Sequence, residues 1–281
     1  MEQEVLQKEE IKEIQYQEYP MVALRGLVVF PNMNLNFDVS RKQSILAVEK
    51  AMTGGRLLFL DKQRYVSTEE PGFDDIETVG TLVRIRQISK LPNKNLRVLV
   101  EGVKRAFLHG ATNTEGYLNA QVEDCAEQAE EEIEAGLKEA MLRQMEIELA
   151  EYLRLHPKAG KGLVEYLEKA DKLGPAMDFV GVTLPIPVEK KQRILECISL
   201  EERFEELTVI LKEETYIAKA RAEFNEKVQK RVDKQQREYV LREQLKVIRE
   251  ELGEDTTGSD ADLFMERLKE LKASEEVKEK I

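Results

Sequence analysis

The stretch RVDKQQREYVLREQLKVIREELGE, residues 231–254, decides how the rest of the chain must be organised. It contains no glycine or proline before Gly253, and its late apolar residues recur at steps of four, three and four along one helical face. They are Leu241, Leu245, Ile248 and Leu252. Upstream, residues 225–238 offer only Val228 and Val232 as bulky apolar side chains. Burial inside one compact domain cannot hold so polar a helix, and we interpret it as an arm joining two parts of a protein.

The arm is predicted to begin at Ser199, because Glu202 three residues later completes a capping-box pattern. A helix over residues 199–252 would be ~80 Å long at the standard rise per residue. Gly253 stands where a glycine commonly ends a helix. Residues 254–281 are predicted to hold a polar linker and then the truncated start of further helices. This ending suits a piece of a longer protein better than a natural terminus.

Composition narrows the classes of function. A chain of 281 residues predicts roughly two domains, and its net charge of −12 disfavours a protein that binds nucleic acid over its whole surface. Residues 219–249 run against this trend, with ten basic and five acidic side chains. We interpret that excess as a solvated helix face carrying ion pairs four residues apart.

The sequence gives little indication of a metal site, a disulfide framework or a membrane-spanning segment. Cys125 and Cys197 are too few for a disulfide framework, and His109 and His156 have no Cys or His neighbour at ligand spacing. The acidic N-terminus does not resemble a secretory signal, and no apolar run reaches the roughly 18 residues of a membrane span. We therefore expect no metal site, no membrane partner and a cytoplasmic location.

The first half of the chain has the texture of a β-rich domain, predicted over residues 19–124 after a flexible extension at residues 1–18. Short strands separated by turns every ten or so residues, with one helix among them, are typical of a coiled sheet or partial barrel. The helix is predicted over residues 41–52, opened by a capping box from Ser40 to Gln43. Strands are predicted at residues 21–24, 27–30, 35–39, 56–60, 79–88, 96–100, 106–108 and 117–122.

The second half is predicted to be helical. Apolar residues at spacing four, from Ile133 to Leu153, indicate a first helix that ends at His156-Pro157. Shorter helices are predicted at residues 161–173, 175–181 and 188–197. The predicted organisation is α+β: a β-rich domain, a helical bundle over residues 125–198, and the long arm over residues 199–253.

Three blocks, in this order and spacing, resemble the N-terminal region of the Lon family of ATP-dependent proteases. They are LRGLVVFPNM (24–33), VGTLVRIRQISKLPNKNLRVLVEGVKRAFL (79–108) and QREYVLREQLKVIREELGE (236–254). The resemblance covers nearly the whole chain after about residue 19. It implies a PUA-like β domain that captures unfolded or degron-bearing proteins. It also implies a homohexamer whose ATPase module uses ATP and Mg, and whose protease module carries a Ser–Lys dyad.

Neither of those two modules is expected within this chain. A phosphate-binding loop needs Gly-x-x-x-x-Gly-Lys-Ser/Thr, whereas Gly160-Lys161-Gly162 has Leu155 in place of the first Gly and Gly162 in place of Ser/Thr. No serine lies in a glycine-flanked setting with a plausible partner base. We therefore expect no catalytic residue and no cofactor here, and association only as a monomer or weak dimer, because the arm lacks a sustained heptad seam.

Exposed apolar groups beside a sheet would be needed to bind unfolded protein. The candidate substrate contacts are Pro31, Met33, Leu35, Leu91 and Pro92. Each could instead be a core or turn-forming residue, since single apolar residues on a surface are common. The apolar row of the arm is the candidate surface for docking onto another module: Leu241, Leu245, Ile248 and Leu252.

Two other functions stay open at this point. One is a self-contained adaptor that binds unfolded protein without any ATPase or protease module. The other is an RNA-binding module of the PUA type, which the acidic composition and the lack of an aromatic stacking platform disfavour.

Overall fold

A computed structural model describes residues 16–126, 130–157, 162–170, 172–252 and 267. The chain divides into two compact units, Met1–Ala218 and Lys219–Ile281, and the division falls inside one long helix. The predicted linker and the helices after it lie outside the described residues, as does most of the predicted N-terminal extension. The first strand begins at Gln17, two residues before the predicted start of the β-rich domain.

Six strands form one sheet in the first unit. They are β1 (Gln17–Leu24), β2 (Asn34–Val39), β3 (Leu57–Lys62), β4 (Val79–Lys90), β5 (Leu96–Thr114) and β6 (Tyr117–Asp124). Their order is β2-β5-β4-β3-β1-β6, and β5 also pairs with β6. Five strands thus close into a small barrel, while β2 lies outside it as an edge strand. Only the β1–β3 pair is parallel among these pairings.

The long strand β5 replaces the two short strands predicted at residues 96–100 and 106–108. Its first half pairs with β2 and its second half with β6, and a register shift opposite Leu82/Val83 lies between the halves. Gly102 stands at this shift, where an added Cβ would lie 2.1 Å from the carbonyl oxygen of Phe30. The glycine lets two backbones approach closely, and the strand continues where the sequence indicated a break.

The prediction of a strand at residues 27–30 is wrong, because this segment joins no strand ladder. Three of its four side chains are buried all the same, with Phe30 0%, Val29 4% and Val28 9% exposed. The carbonyl oxygen of Val29 accepts a hydrogen bond from the hydroxyl of Thr81 at 2.6 Å. An apolar run such as this signals burial, and whether it also pairs depends on contacts distant in the chain.

Helix α1 (Lys42–Thr53) packs against β1, β3 and β6. Its buried residues Ala47, Val48 and Ala51 share a core with Leu58 and other residues of the sheet. The capping box predicted from Ser40 to Gln43 is wrong, since Arg41 is the N-cap residue and no side chain caps the helix.

Four helices follow the sheet: α2 (Ala135–Leu155), α3 (Leu163–Glu168), α4 (Leu173–Thr183) and α5 (Val188–Glu196). The helix predicted over residues 161–173 is therefore too long, and Leu173 instead begins α4. Pro175 is tolerated near that start because the first helical turn needs no N–H donor. Val79 and Phe30 join the helices in one apolar core, so the sheet and the helices are packed together.

A buried group of three charges also joins sheet and helices within the first unit. Arg105 on β5 binds Asp178 on α4 through two hydrogen bonds, of 2.9 and 2.6 Å. Arg203 reaches the same carboxylate at 3.4 Å. All three side chains are at most 3% exposed. Arg105 also donates to the carbonyl oxygen of Leu195 at 2.9 Å, which fixes the end of α5.

Helix α6 (Leu200–Glu251) is 52 residues long, close to the predicted span. Ser199 precedes it and accepts a bond from the backbone N–H of Glu202 at 3.5 Å, as half of the predicted capping box. Its buried residues all lie between Leu200 and Thr215, and every residue from Ala220 to Leu252 is exposed. Pairs four residues apart, such as Glu226 with Lys230, support that exposed part.

Candidate functional site

The edge strand β2 starts at a bulge that fixes which of its backbone groups are free. Asn32, whose φ is 58°, donates its N–H to Gly102 at 2.9 Å, and Gly102 donates to the carbonyl oxygen of Met33 at 2.8 Å. From there antiparallel bonding alternates, so Leu35 and every second residue after it bond to β5. The backbone groups of the residues between them point towards the open edge: Asn34, Asn36 and Asp38.

Beyond the bulge at its start and the charge of Asp38, this edge lacks the usual protection against pairing with another chain. Residues 34–39 contain no proline or lysine, and their register with β5 has no shift. Among the described residues, no backbone bond joins Asn34, Asn36 or Asp38 to a further segment. Leu35 and Phe37 pack on the barrel core but stay half-buried. The edge is therefore built to accept one more strand.

A cleft of about 230 Å³ lies between the end of β2 and the end of β1. Arg25 and Arg41 form its charged side, and its apolar lining includes Leu27, Phe37 and Val39. Arg41 donates to the carbonyl oxygen of Ala23 at 3.0 Å and to Gln63 at 3.1 Å, whereas Arg25 donates to the carbonyl oxygen of Thr68 at 2.9 Å.

The two arginines carry positive charge that no carboxylate among the described residues neutralises through an ion pair. Burial, and then the nearby Arg25, lower the pKa of the Arg41 guanidinium. Asp38 lines the same cleft but is bound by Arg97 through two bonds of 2.7 and 2.8 Å. Those bonds hold the pKa of Asp38 below its usual value. The cleft therefore favours an anionic group.

The outer face of β2, β5 and β4 forms a second, shallower concavity of about 620 Å³. Its lining is mostly polar and comprises Asn36, Phe37, Asp38, Gln87, Ser89, Arg97 and Leu99. It shares Phe37 and Asp38 with the cleft, so the two concavities flank the same strand.

The structure separates the predicted substrate contacts. Pro31 is buried, because the bulge at Asn32 draws the turn against β5, so it lacks the exposure on which its prediction as a contact was based. Met33, Leu35 and Leu91 are half-buried, and Pro92 is exposed. The turn at residues 91–95 lies next to the Val39 end of β2, because Val39 pairs with Leu96, whereas Met33 lies at the other end of the strand. At the usual rise per residue the two groups are about 20 Å apart.

Sequence reasoning missed Phe37, Arg25 and Arg41. Phe37 stands in the alternating pattern that predicted β2, but alternation does not show which strand becomes the edge of a sheet. Arg41 was interpreted only as the first residue of a helix. Its approach to Arg25 depends on the turn after β1, for which the sequence held no clear signal.

The predicted docking row lies in the second unit and is exposed throughout. Leu241, Leu245, Ile248 and Leu252 are 54%, 50%, 56% and 71% exposed. A second row, Phe224, Val228 and Val232, is 66%, 43% and 47% exposed. At about 100° per residue the two rows point roughly 135° apart around the helix, so they do not form one continuous seam. A docking role for the first row stays a prediction.

Other site chemistry can be stated for the described part of the chain alone. No group of three His, Cys, Asp or Glu residues there is arranged to hold a metal ion. None of the helices within those ranges is both long enough and apolar enough to cross a membrane.

Comparison with known proteins agrees with the architecture. Residues 18–213 match the family described as the ATP-dependent protease La (LON) substrate-binding domain. The Lon protease of Lachnoclostridium phytofermentans is 39% identical over 93% of this chain, and that of Clostridium acetobutylicum is 36% identical over 93%. The N-terminal domain of a Mycobacterium avium complex Lon protease superposes with a TM-score of 0.57 at 16% identity, covering 70% of this chain and 98% of that domain.

The fold defines a β-rich barrel domain with a helical extension and one very long helix, and its first part has the fold of Lon N-terminal domains. The chain belongs to the family of Lon substrate-binding domains. It spans about a third of the curated relatives, 32% of the first and 33% of the second.

Proposed function

We propose that this chain is the substrate-recognition and assembly region of an ATP-dependent Lon-type protease, and that it captures unfolded or degron-bearing proteins. Membership of the substrate-binding family supports the general role. The open edge of β2, beside half-buried Leu35 and Phe37, is the single feature that best supports binding of unfolded chains.

Membership of the family also leads us to propose the activities and the assembly of the whole protein. Hydrolysis of ATP with Mg and peptide cleavage by a Ser–Lys dyad take place in modules outside this chain, which needs no cofactor itself. The whole protein is a cytoplasmic homohexamer, whereas this chain alone is a monomer or weak dimer. The row from Leu241 to Leu252 docks onto the ATPase module or a neighbouring subunit, since exposed apolar rows are typical of such contacts.

A titration tests the capture of unfolded protein. A small protein, reduced and alkylated so that it stays unfolded, is labelled and titrated with the chain, and fluorescence anisotropy reports binding. The same protein in its native, disulfide-bonded form is the control. We expect saturable binding of the unfolded form and at least about tenfold weaker binding of the native form. Equal affinity for both forms, or no binding of either, would overturn the proposal.

A further inference from the structure

The open edge of β2 specifies how a captured segment would be held. Leu35 and Phe37 lie on the core side of β2, and part of each side chain is left uncovered. A strand added beside β2 would place its own alternate side chains on the same side. Those side chains would cover Leu35 and Phe37, so the edge favours an extended segment with an apolar residue at every second position.

The cleft beside Val39 adds a preference for negative charge. Its guanidinium groups, from Arg25 and Arg41, bond to carbonyl and amide oxygens rather than to carboxylates of the described residues. A carboxylate entering the cleft would accept charge-assisted hydrogen bonds from them, which are stronger than bonds between neutral groups. This local preference for an anion is opposite to that expected from the chain's net charge of −12.

We propose that the open edge of β2 binds an extended polypeptide segment as an additional strand, with apolar side chains at alternate positions and a carboxylate beside Arg25 and Arg41. This inference rests on the proposed function and deepens it, because it assigns the captured segment a site, a backbone geometry and a side-chain pattern. The carboxylate belongs to an Asp, a Glu or the C-terminus of the segment.

A second copy of this chain suits the edge less well. If two β2 strands paired antiparallel about a two-fold axis, the Val39 end of one would face residues 31–34 of the other. That stretch, Pro-Asn-Met-Asn, holds no carboxylate for the arginines. The charge of the cleft is therefore matched better by an acidic foreign segment.

Peptides test the binding mode. The probe is a fluorescent peptide of about eight residues, within the usual range of strand lengths, which alternates Val with Thr and ends in Glu with an amidated C-terminus. One variant has Gln and a free C-terminal carboxylate, and another has Gln and an amidated C-terminus. A fourth keeps the Glu but is N-methylated at four consecutive interior residues, which removes N–H donors from both of its edges and prevents a strand ladder.

We expect the N-methylated peptide to bind at least about tenfold more weakly than its parent. The neutral peptide should bind about fivefold to tenfold more weakly than whichever carboxylate peptide binds best, and Arg25→Gln should remove that difference. Better binding of the Glu peptide identifies a side-chain carboxylate as the preferred group, and better binding of the free C-terminus identifies a chain end. Equal affinities for parent and N-methylated peptides would overturn strand addition.

Variants of the chain locate the site. Asn36→Pro removes one N–H at the open edge and leaves the ladder to β5 intact, because proline is tolerated on an edge whose N–H faces outward. It should weaken the parent peptide about tenfold, whereas the matched Asn36→Ala should change binding less than about twofold. Hydrogen exchange on the unaltered chain is independent of how the variants fold, and the amides of Asn36 and Asp38 should gain protection when peptide binds.

The outcomes separate this inference from the function on which it rests. If Asn36→Pro and the unaltered chain bind unfolded protein equally, or if the Asn36 and Asp38 amides gain no protection, capture occurs elsewhere and the β2 site is wrong. If the unaltered chain binds no unfolded protein, the proposed function fails as well. Light scattering that shows dimers blocked by Asn36→Pro would assign the edge to a second copy and overturn the inference.

Discussion

At the scale of single residues, Arg105, Asp178 and Arg203 hold the barrel against the helices. Removing three charges from water is costly, and this cost can exceed the energy of their mutual attraction. The presence of the group therefore does not by itself show that the protein is unusually stable. Its arrangement is nevertheless demanding, since the Asp178 carboxylate is 3% exposed and both guanidinium groups are fully buried. Loss of one partner would leave uncompensated charge inside the protein. The residues are 73 and 25 positions apart, so no local pattern in the sequence predicted the contact.

Asp178→Ala should lower the free energy of unfolding of the chain by about 3–5 kcal/mol, because it leaves two arginines buried without their carboxylate. Urea denaturation followed by circular dichroism measures the change. The matched control is Glu139→Ala, which removes an exposed ion pair with Arg143 and should cost no more than about 0.5 kcal/mol. Similar losses for the two variants would contradict the structural role of Asp178.

Asp61 is a second buried carboxyl group, and one of its oxygens has no hydrogen-bond partner. Burial raises its pKa well above the usual value, and the nearby Glu77 and Glu196 raise it further. The folded state therefore binds the Asp61 proton more tightly than the unfolded state does. The resulting contribution to stability is complete below the unfolded pKa of roughly 3.9 and is lost as the pH rises through the folded value.

Asp61→Asn keeps the shape of the side chain and cannot ionise. Relative to the unaltered chain it should gain stability as the pH rises from 4 to 8, by at most about 1.4 kcal/mol per pH unit within the interval between the two pKa values. Urea denaturation at several pH values measures this difference. A difference that does not vary with pH would show that Asp61 titrates normally.

At the scale of elements, the sequence was most informative where a pattern is local. The long helix predicted over residues 199–252 is Leu200–Glu251, and the strand predicted at residues 79–88 is Val79–Lys90. Prediction failed where distant segments decide the outcome. Residues 28–30 are buried without pairing, β5 runs on through Gly102, and the position of β2 at the edge depends on the order of all six strands.

Gly102→Ala tests the close approach that lets β5 continue. The added Cβ would lie 2.1 Å from the Phe30 carbonyl oxygen and 2.9 Å from its carbon, so backbone must shift. We expect a loss of about 1–3 kcal/mol or more in the free energy of unfolding. Gly136→Ala in α2 is the control, because its nearest contact is 4.0 Å away and alanine favours helix. Gly102→Ala with undiminished stability would contradict this account.

At the scale of the whole molecule, helix α6 is stabilised at its start by buried residues between Leu200 and Thr215. From Ala220 onwards the same helix is fully exposed. Neither the exposed pairs nor helix propensity would normally stabilise an isolated helix strongly, because most helical stability comes from packing. The proposed connecting role accounts for keeping so long an exposed helix, with its apolar rows available to the further modules that we propose for the whole protein.

Val232→Pro in the full-length enzyme should break this connection, at a cost of about 3 kcal/mol or more in helix stability. We expect degradation of a folded substrate to fall sharply while cleavage of a small peptide is unchanged. Val232→Ala keeps the helix and is the matched control. Normal degradation by the proline variant would show that the exposed part of α6 does not couple capture to processing.

Photo-crosslinking of a permanently unfolded protein to the chain, with the attachment sites located by mass spectrometry, would show directly where capture occurs. We expect crosslinks to concentrate within the first unit, at and around β2, and we expect excess unlabelled unfolded protein to suppress them while native protein does not. Crosslinks confined to residues 219–252, or suppressed equally by native protein, would contradict this expectation.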